Sequence, residues 1–321
     1  MKNKIILVSG DPNSINSELI NKVWLKLKNS TKKRIYIISN YRLLREQFKK
    51  LNYSFNALKV KNLDNSKNEL RLKILDIDLK FDNPFKVPYS EASKFVIKSL
   101  NLAHSYGLKK DVKGIINCPI DKKLLKKSKI GVTEFFANKC NIKDHSEAML
   151  IWNKKLAVSP LTTHIDIKDI SKKLKPYKIE KKIKTISSWF YKNFKRKPKI
   201  AVLGLNPHNA ELRQNSEEKK IIIPTIKKLK RQKFKVEGPL VSDTLFIKDY
   251  KNFDIIFGMF HDQVLAPFKT LFKYDAVNFT LGLKYLRLSP DHGTAVKLIG
   301  KKRANRTSLL KCIYFLKKFE K

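Results

Sequence analysis

At 321 residues, with 42% hydrophobic side chains, the chain can bury a substantial core and is not short of apolar material. Its 70 Lys and Arg against 28 Asp and Glu give a formal net charge of +42, a balance that first suggests nucleic acid, because clustered cations neutralise phosphates. The lysines, however, are spread over nearly every segment, arginine is scarce, and only short clusters such as Lys227-Lys228-Leu229-Lys230-Arg231 occur. A compositional bias towards lysine is therefore expected, with no nucleic-acid partner, although a positive field would still attract small anionic substrates.

The N-terminal apolar run, Ile5 to Val8, is too short for a signal peptide, and no stretch approaches a membrane span. A cytoplasmic protein with no membrane partner is expected. Cys118, Cys140 and Cys312 lie far apart without a C-x-x-C pair, which predicts neither a disulfide framework nor a thiolate zinc site, but three small core residues.

In chain order, apolar runs alternate with helix-periodic segments, the pattern of an α/β protein with largely parallel sheets. Strands are predicted at Lys4 to Ser9, Arg34 to Ser39, Gly114 to Asn117, Leu156 to Thr162, Lys199 to Leu205 and Asp254 to Phe260. Helices are predicted at Asn16 to Lys28, Tyr41 to Leu51, Glu91 to Tyr106, 121 to 127, 144 to 153, 178 to 194, 217 to 232 and Thr307 to Phe319, with 60 to 88 irregular. No repeat, low-complexity linker or Ser/Gly-rich joint separates domains.

Polar residues collect at the ends of the strands. His164 in "SPLTTHI", His208 in "VLGLNPHNAE" and His261 in "FGMFHDQ" each follow a predicted strand, where α/β enzymes place their chemistry. A single histidine is ordinarily surface filler or a satisfied core residue. Three in the same topological position fit a divalent-metal site, since neutral imidazoles are common ligands and three of them leave a coordination position open. Lys269, Asn278 in "AVNFTLGL" and Arg287 in "KYLRLSPDHGT" offer an ammonium, an amide and a guanidinium for a phosphate or carboxylate, although both cations also read as two of seventy. "DHGTAVKLIGKKRAN", residues 291 to 305, lets backbone approach a nucleotide beside a threonine hydroxyl, or is a plain loop; no G-x-G-x-x-G exists in the chain.

The phrases "GDPNSINSELI", "GIINCPIDKKLL", "TEFFA", "TTHI", "VLGLNPHNAE", "GPLVSDTLF", "HDQ", "VNFTLGL" and "DHGTA", in this order, resemble the 4-hydroxythreonine-4-phosphate dehydrogenase family over nearly the whole chain. The resemblance implies an isocitrate/isopropylmalate dehydrogenase-like α/β fold: two α/β/α lobes with mostly parallel sheets around a central cleft, in a homodimer. It suggests a discontinuous lobe of residues 1–115 plus 265–321 carrying the cofactor loop, and a middle lobe of 116–264 with the dimerisation surface. His164, His208 and His261 correspond to metal ligands contributed by both subunits, and Thr133, Lys269, Asn278 and Arg287 to substrate-binding residues.

The implied reaction is NAD- or NADP-linked oxidation of 4-phosphooxy-L-threonine to a 3-keto acid that decarboxylates to 3-amino-2-oxopropyl phosphate, a step of pyridoxal phosphate biosynthesis. The metal would be Zn, Co, Mg or Mn. Oxidation of 4-phospho-threonate, and a non-catalytic or nucleic-acid-binding relative, are the alternatives. Asp243 and Asp262 are candidates for orienting the imidazoles or moving a proton, and an Asp after a strand also reads as a helix cap. His292, Gly293, Thr294 and Lys297 are expected at the cofactor; Lys297 stands where a cation could pair with the 2'-phosphate of NADP.

The chain departs from the family pattern at several positions. Val132 replaces a histidine before T-E-F and cannot donate a hydrogen bond. Ser14, Asn16, Ala210 and Val264 stand where the pattern carries glycine, which restricts positive φ angles and close backbone approach.

Overall fold

The computed structural model describes residues 3–63, 69–128 and 131–318. Two compact units form, Met1–Cys140 with Leu283–Lys321, and Asn141–Gly282. The joints fall after Cys140 and Gly282, where the sequence suggested 115/116 and 264/265.

The first unit opens with β1 (Lys4–Val8), α1 (Asn16–Trp24), β2 (Ile35–Ser39) and α2 (Tyr41–Lys50). It continues through β3 (Ala57–Val60), β4 (Leu72–Asp76), α3 (Tyr89–Gly107), β5 (Val112–Asn117) and α4 (Val132–Lys139). The second unit holds β6 (Ala148–Trp152), β7 (Ala157–Pro160), α5 (Pro176–Phe194), β8 (Ile200–Leu203), α6 (Ile223–Arg231) and β9 (Val236–Leu240). It ends with β10 (Ile255–Gly258), α7 (His261–Phe272) and β11 (Val277–Leu281), and the chain returns to the first unit with β12 (Leu286–Pro290) and α8 (Thr307–Lys318). The predicted last residue of that helix, Phe319, lies outside the described residues.

Within the first unit the strand order is β3-β4-β2-β1-β5-β12, every pair parallel. β1 and β2 are buried along their whole length, as sheets covered on both faces require, which is why their sequences, KIILV and IYIIS, are nearly continuous apolar runs. In the second unit the order is β11-β6-β7-β10-β8-β9, and β6 runs antiparallel to both of its neighbours.

That antiparallel strand corrects the helix predicted at 144 to 153. Ala148-Met149-Leu150-Ile151-Trp152 is a short unbroken apolar run, which periodicity cannot assign, and it pairs with β11 from Ala148↔Leu281 to Trp152↔Val277. Strand β4 also occupies the stretch 60 to 88 read as irregular, and β3, which was not predicted, ends at its first residue, Val60. All three cysteines are free and buried, as expected. Among the described residues, no helix is long and apolar enough to cross a membrane.

Candidate active site

β7, β10 and β8 are neighbouring parallel strands, so their carboxyl ends lie along one edge of the sheet, the usual location of sites in open α/β folds. His164 follows β7, His261 follows β10 as the first residue of α7, and His208 follows β8. The rings of His164 and His261 stand side by side, centroids 5.2 Å apart. His261 Nδ1 is 2.6 Å from Asp262 Oδ1, which leaves Nε2 as its outward nitrogen. His208 has different neighbours: its Nδ1 is 3.4 Å from Glu211 and its Nε2 is 3.8 Å from Asp243.

Neither Asp262 nor Asp243 makes a side-chain cap at its helix; each faces a histidine instead. Both also line a cavity of about 380 Å³ with Ser242, Phe246, Phe260, Gln263 and Pro267.

These donors suit a metal in kind, since two adjacent imidazoles, one backed by a carboxylate, are typical ligands of a catalytic divalent ion. Among the described residues, however, no group of three or more His, Cys, Asp or Glu in the chain is placed to hold a metal ion. One chain therefore presents the His164–His261 pair together and His208 separately.

The loop that presents His208 has unusual backbone. His208, Asn209, Ala210, Glu211 and Leu212 all have positive φ, between 48° and 57°. Such a left-handed turn of non-glycine residues costs roughly 1–2 kcal/mol per residue and persists only where its surroundings hold it. The buried Glu218 supplies such a hold, accepting from Leu205 N and Asn206 N, both at 2.8 Å, and from Asn206 Nδ2 at 3.1 Å. Asn209 Nδ2 adds a bond to Pro239 O at 3.0 Å.

Of the four positions where the family pattern carries glycine, Ala210 alone has a positive φ, at 53°. Val264 is buried inside α7. Ser14 and Asn16 use their side chains: Ser14 Oγ donates to Asp11 O at 2.5 Å and accepts from Asn16 N at 3.2 Å, while Asn16 Nδ2 donates to Pro119 O at 2.8 Å. The three replacements by glycine should therefore differ in sign. Ala210→Gly is expected to stabilise the fold by about 1 kcal/mol, and Ser14→Gly and Asn16→Gly to destabilise it by about 1 kcal/mol each, as read by denaturant unfolding.

In the first unit, Arg287 on β12 is 3% exposed, its Nε donates to Asn117 Oδ1 at 2.6 Å, and its guanidinium lies 5.9 Å from the Phe136 ring centre. Burial pushes its pKa down to about 10, which leaves it a cation at neutral pH. Thr133 sits in the first turn of α4, directly after Val132. In the second unit, Lys269 is exposed on α7, two turns beyond His261. Asn278 lies on β11, and its Oδ1 is buried with no hydrogen-bond partner among the described residues.

His292, Gly293, Thr294 and Lys297 lie together between β12 and α8, with Gly293 and Lys297 exposed. The segment is held from the N-terminal side: Ile15 N donates to Thr294 O at 3.2 Å, and Glu18 Oε1 accepts from Ala304 N at 2.8 Å. Glu218 was not singled out from the sequence, and Asn117 and Gln263 stood there only within the phrases GIINCPIDKKLL and HDQ, with no role given to either. Both carried a visible signal, Asn117 as a polar residue closing the apolar strand VKGIIN and Gln263 as one that follows FGMF.

Mostly parallel sheets flanked by helices, with histidines after three adjacent strands of the second unit, give a dehydrogenase-like fold. An isocitrate dehydrogenase from Methylococcus capsulatus shares the fold alone, at 9% identity with a TM-score of 0.50 over 98% of this chain and 85% of that one. A 4-hydroxythreonine-4-phosphate dehydrogenase from Klebsiella pneumoniae superposes with a TM-score of 0.83 at 26% identity, covering 98% of this chain and 97% of that one. A protein of the same name from Aquifex aeolicus is 38% identical over 319 residues, 97% of this chain and 96% of the relative. Residues 30–316 match the family described as pyridoxal phosphate biosynthetic protein PdxA, and the chain belongs to that family. It is accordingly an oxidoreductase of pyridoxine biosynthesis, and dehydrogenase chemistry implies a nicotinamide cofactor.

Proposed function

We propose that the chain oxidises the C3 hydroxyl of 4-phosphooxy-L-threonine, passing hydride to NAD(P) and a proton to solvent. The resulting 3-keto acid loses carbon dioxide, and the carbon that carried it takes up a proton to give 3-amino-2-oxopropyl phosphate. The observation that carries this reading is the placement of His164, His208 and His261 at the carboxyl ends of three adjacent parallel strands, in a chain of this family.

His164, His261 and His208 would hold a divalent metal, with the set completed between two subunits of a cytoplasmic homodimer. Such an ion, once bound, lowers the pKa of the substrate hydroxyl and stabilises the charge left by decarboxylation. Asp262 fixes the tautomer and orientation of His261 by its 2.6 Å bond. Asp243, 3.8 Å from His208, is placed to orient that ring or take up a proton. Arg287, turned by Asn117, and Lys269 supply cations for the phosphate and carboxylate, and Thr133 a hydroxyl. The unpartnered Asn278 Oδ1 suits a donor on the substrate, such as its ammonium group. Equal amounts of carbon dioxide and NAD(P)H from this substrate are expected; hydride transfer without carbon dioxide would leave a simple alcohol dehydrogenase.

His292, Gly293, Thr294 and Lys297 would line the cofactor, with the exposed Lys297 favouring NADP through its 2'-phosphate. Lys297→Asp is expected to lower the ratio of kcat/KM with NADP to that with NAD by roughly tenfold, the effect of a modest charge pair of about 1.4 kcal/mol. An unchanged ratio removes Lys297 from cofactor selection.

A further inference from the structure

We propose that Gln263, the third residue of α7, is a positioning residue that ties the segment presenting His261 to the segment presenting His208. Its Oε1 accepts from Met259 N at 2.7 Å and its Nε2 donates to Gly204 O at 2.7 Å. One end of the amide faces a donor and the other an acceptor, so a flipped amide would lose both bonds.

The two contacts belong to different strands. Met259 follows β10, two residues before His261, and Gly204 follows β8, four residues before His208. The β8–β10 register runs only to Val202↔Phe257, so the side chain spans the two strands just beyond the end of their own ladder. Gly204 N is meanwhile fixed to Leu240 O at 3.1 Å, and the next two amides to Glu218. Gly204 N and O, Leu205 N and Asn206 N are thereby all bonded, and of these bonds the one from Gln263 reaches α7. Glycine at 258 makes room for the start of α7: a Cβ there would lie 2.5 Å from Val264 Cγ1 and 2.9 Å from Gln263 Oε1.

A purely local account is that Gln263 caps α7, since a glutamine at the third helical position commonly accepts a backbone N–H at the helix start. That explains the bond to Met259 and not the bond to Gly204. The proposal rests on His208 and His261 being metal ligands, and predicts that without the bridge both imidazoles are less well placed for a metal.

Gln263→Glu separates the two accounts, because a carboxylate keeps the acceptor for Met259 N and loses the donor to Gly204 O. Gln263→Ala loses both. The test is Zn²⁺ affinity of the full chain by competition with a chromophoric chelator, with unfolding midpoints measured in parallel and His208→Ala and His261→Ala as references. Both Gln263 variants are expected to bind Zn²⁺ roughly 10- to 100-fold more weakly, the usual effect of losing a residue that orients a ligand. For Gln263→Glu this loss runs against the attraction of its added negative charge for the ion. Wild-type affinity in Gln263→Glu, with only a lowered midpoint in Gln263→Ala, would overturn the proposal and leave a helix cap. Absence of Zn²⁺ binding by the wild-type chain, or wild-type affinity in both histidine variants, would instead overturn the metal reading and this proposal with it.

Discussion

Replacing Arg287 by methionine is expected to lower kcat/KM for the phosphorylated substrate by roughly 10²- to 10³-fold, while the unfolding midpoint stays level or rises. The two effects separate because Arg287 is a buried cation. The residue is 3% exposed, and its Nε donates to the neutral amide oxygen of Asn117 at 2.6 Å, with the Glu134 carboxylate acting on it only as a minor charge. Desolvating that charge works against folding, as its pKa, pushed down to about 10, indicates. A methionine of similar length fills the space beside Phe136 without that cost. What it removes is the planar set of charged donors for an anion, worth about 2–5 kcal/mol where the contact is desolvated. Arg287→Lys should recover only part of the loss, since an ammonium restores the charge but not the guanidinium plane held by Asn117. A fall in stability with unchanged kinetics would make Arg287 a structural residue.

His261→Ala should weaken metal binding and turnover together, and by more than the roughly 10- to 100-fold expected when only an orienting partner is lost. His261 is partly exposed at the first position of α7 and fills no core space, so the fold should tolerate alanine there. Asp262→Asn is the graded companion. The amide can still bond His261 Nδ1 but no longer presents a carboxylate, so a loss within that 10- to 100-fold range is expected. Measuring metal affinity and kcat on the same samples tests the pair; full activity in metal-depleted His261→Ala would remove the histidines from the chemistry.

The parts of this molecule legible in the sequence are those where one physical effect dominates. KIILV and IYIIS are buried on both faces and read as strands directly. The helix at Tyr89–Gly107 shows its buried stripe, with Ala92, Phe95, Val96, Leu100 and Ala103 at helical spacing. β4 was hidden by its lysine. Lys73 interrupts the apolar run LKILD, yet it is fully buried, with Nζ 2.6 Å from Lys33 O and 4.6 Å from the Tyr36 ring centre. Only tertiary structure could reveal that a cation there has carbonyls and an aromatic face to meet.

The candidate site divides in the same way. Its histidines announce themselves by standing after strands, because topology places strand ends together. The groups that hold them do not. Glu218 and Gln263 act on backbone atoms distant in sequence, and nothing in their neighbours distinguishes a buried Glu218 from the adjacent Glu217. The replaced glycines bear on the backbone at one position only. A restriction on positive φ was expected at four positions, and the structure finds positive φ at Ala210 alone, with Ser14 and Asn16 making side-chain hydrogen bonds instead.

Metal-dependent oxidation of the amino acid is tested most directly by following NAD(P)H formation at its absorbance from 4-phosphooxy-L-threonine and, separately, from 4-phospho-threonate, before chelation, after chelation and after metal is restored. Turnover of the amino acid is expected to disappear on chelation and return with metal, with little or none from the hydroxy acid. Silence with 4-phosphooxy-L-threonine in metal-replete protein, or turnover indifferent to chelation, would contradict it.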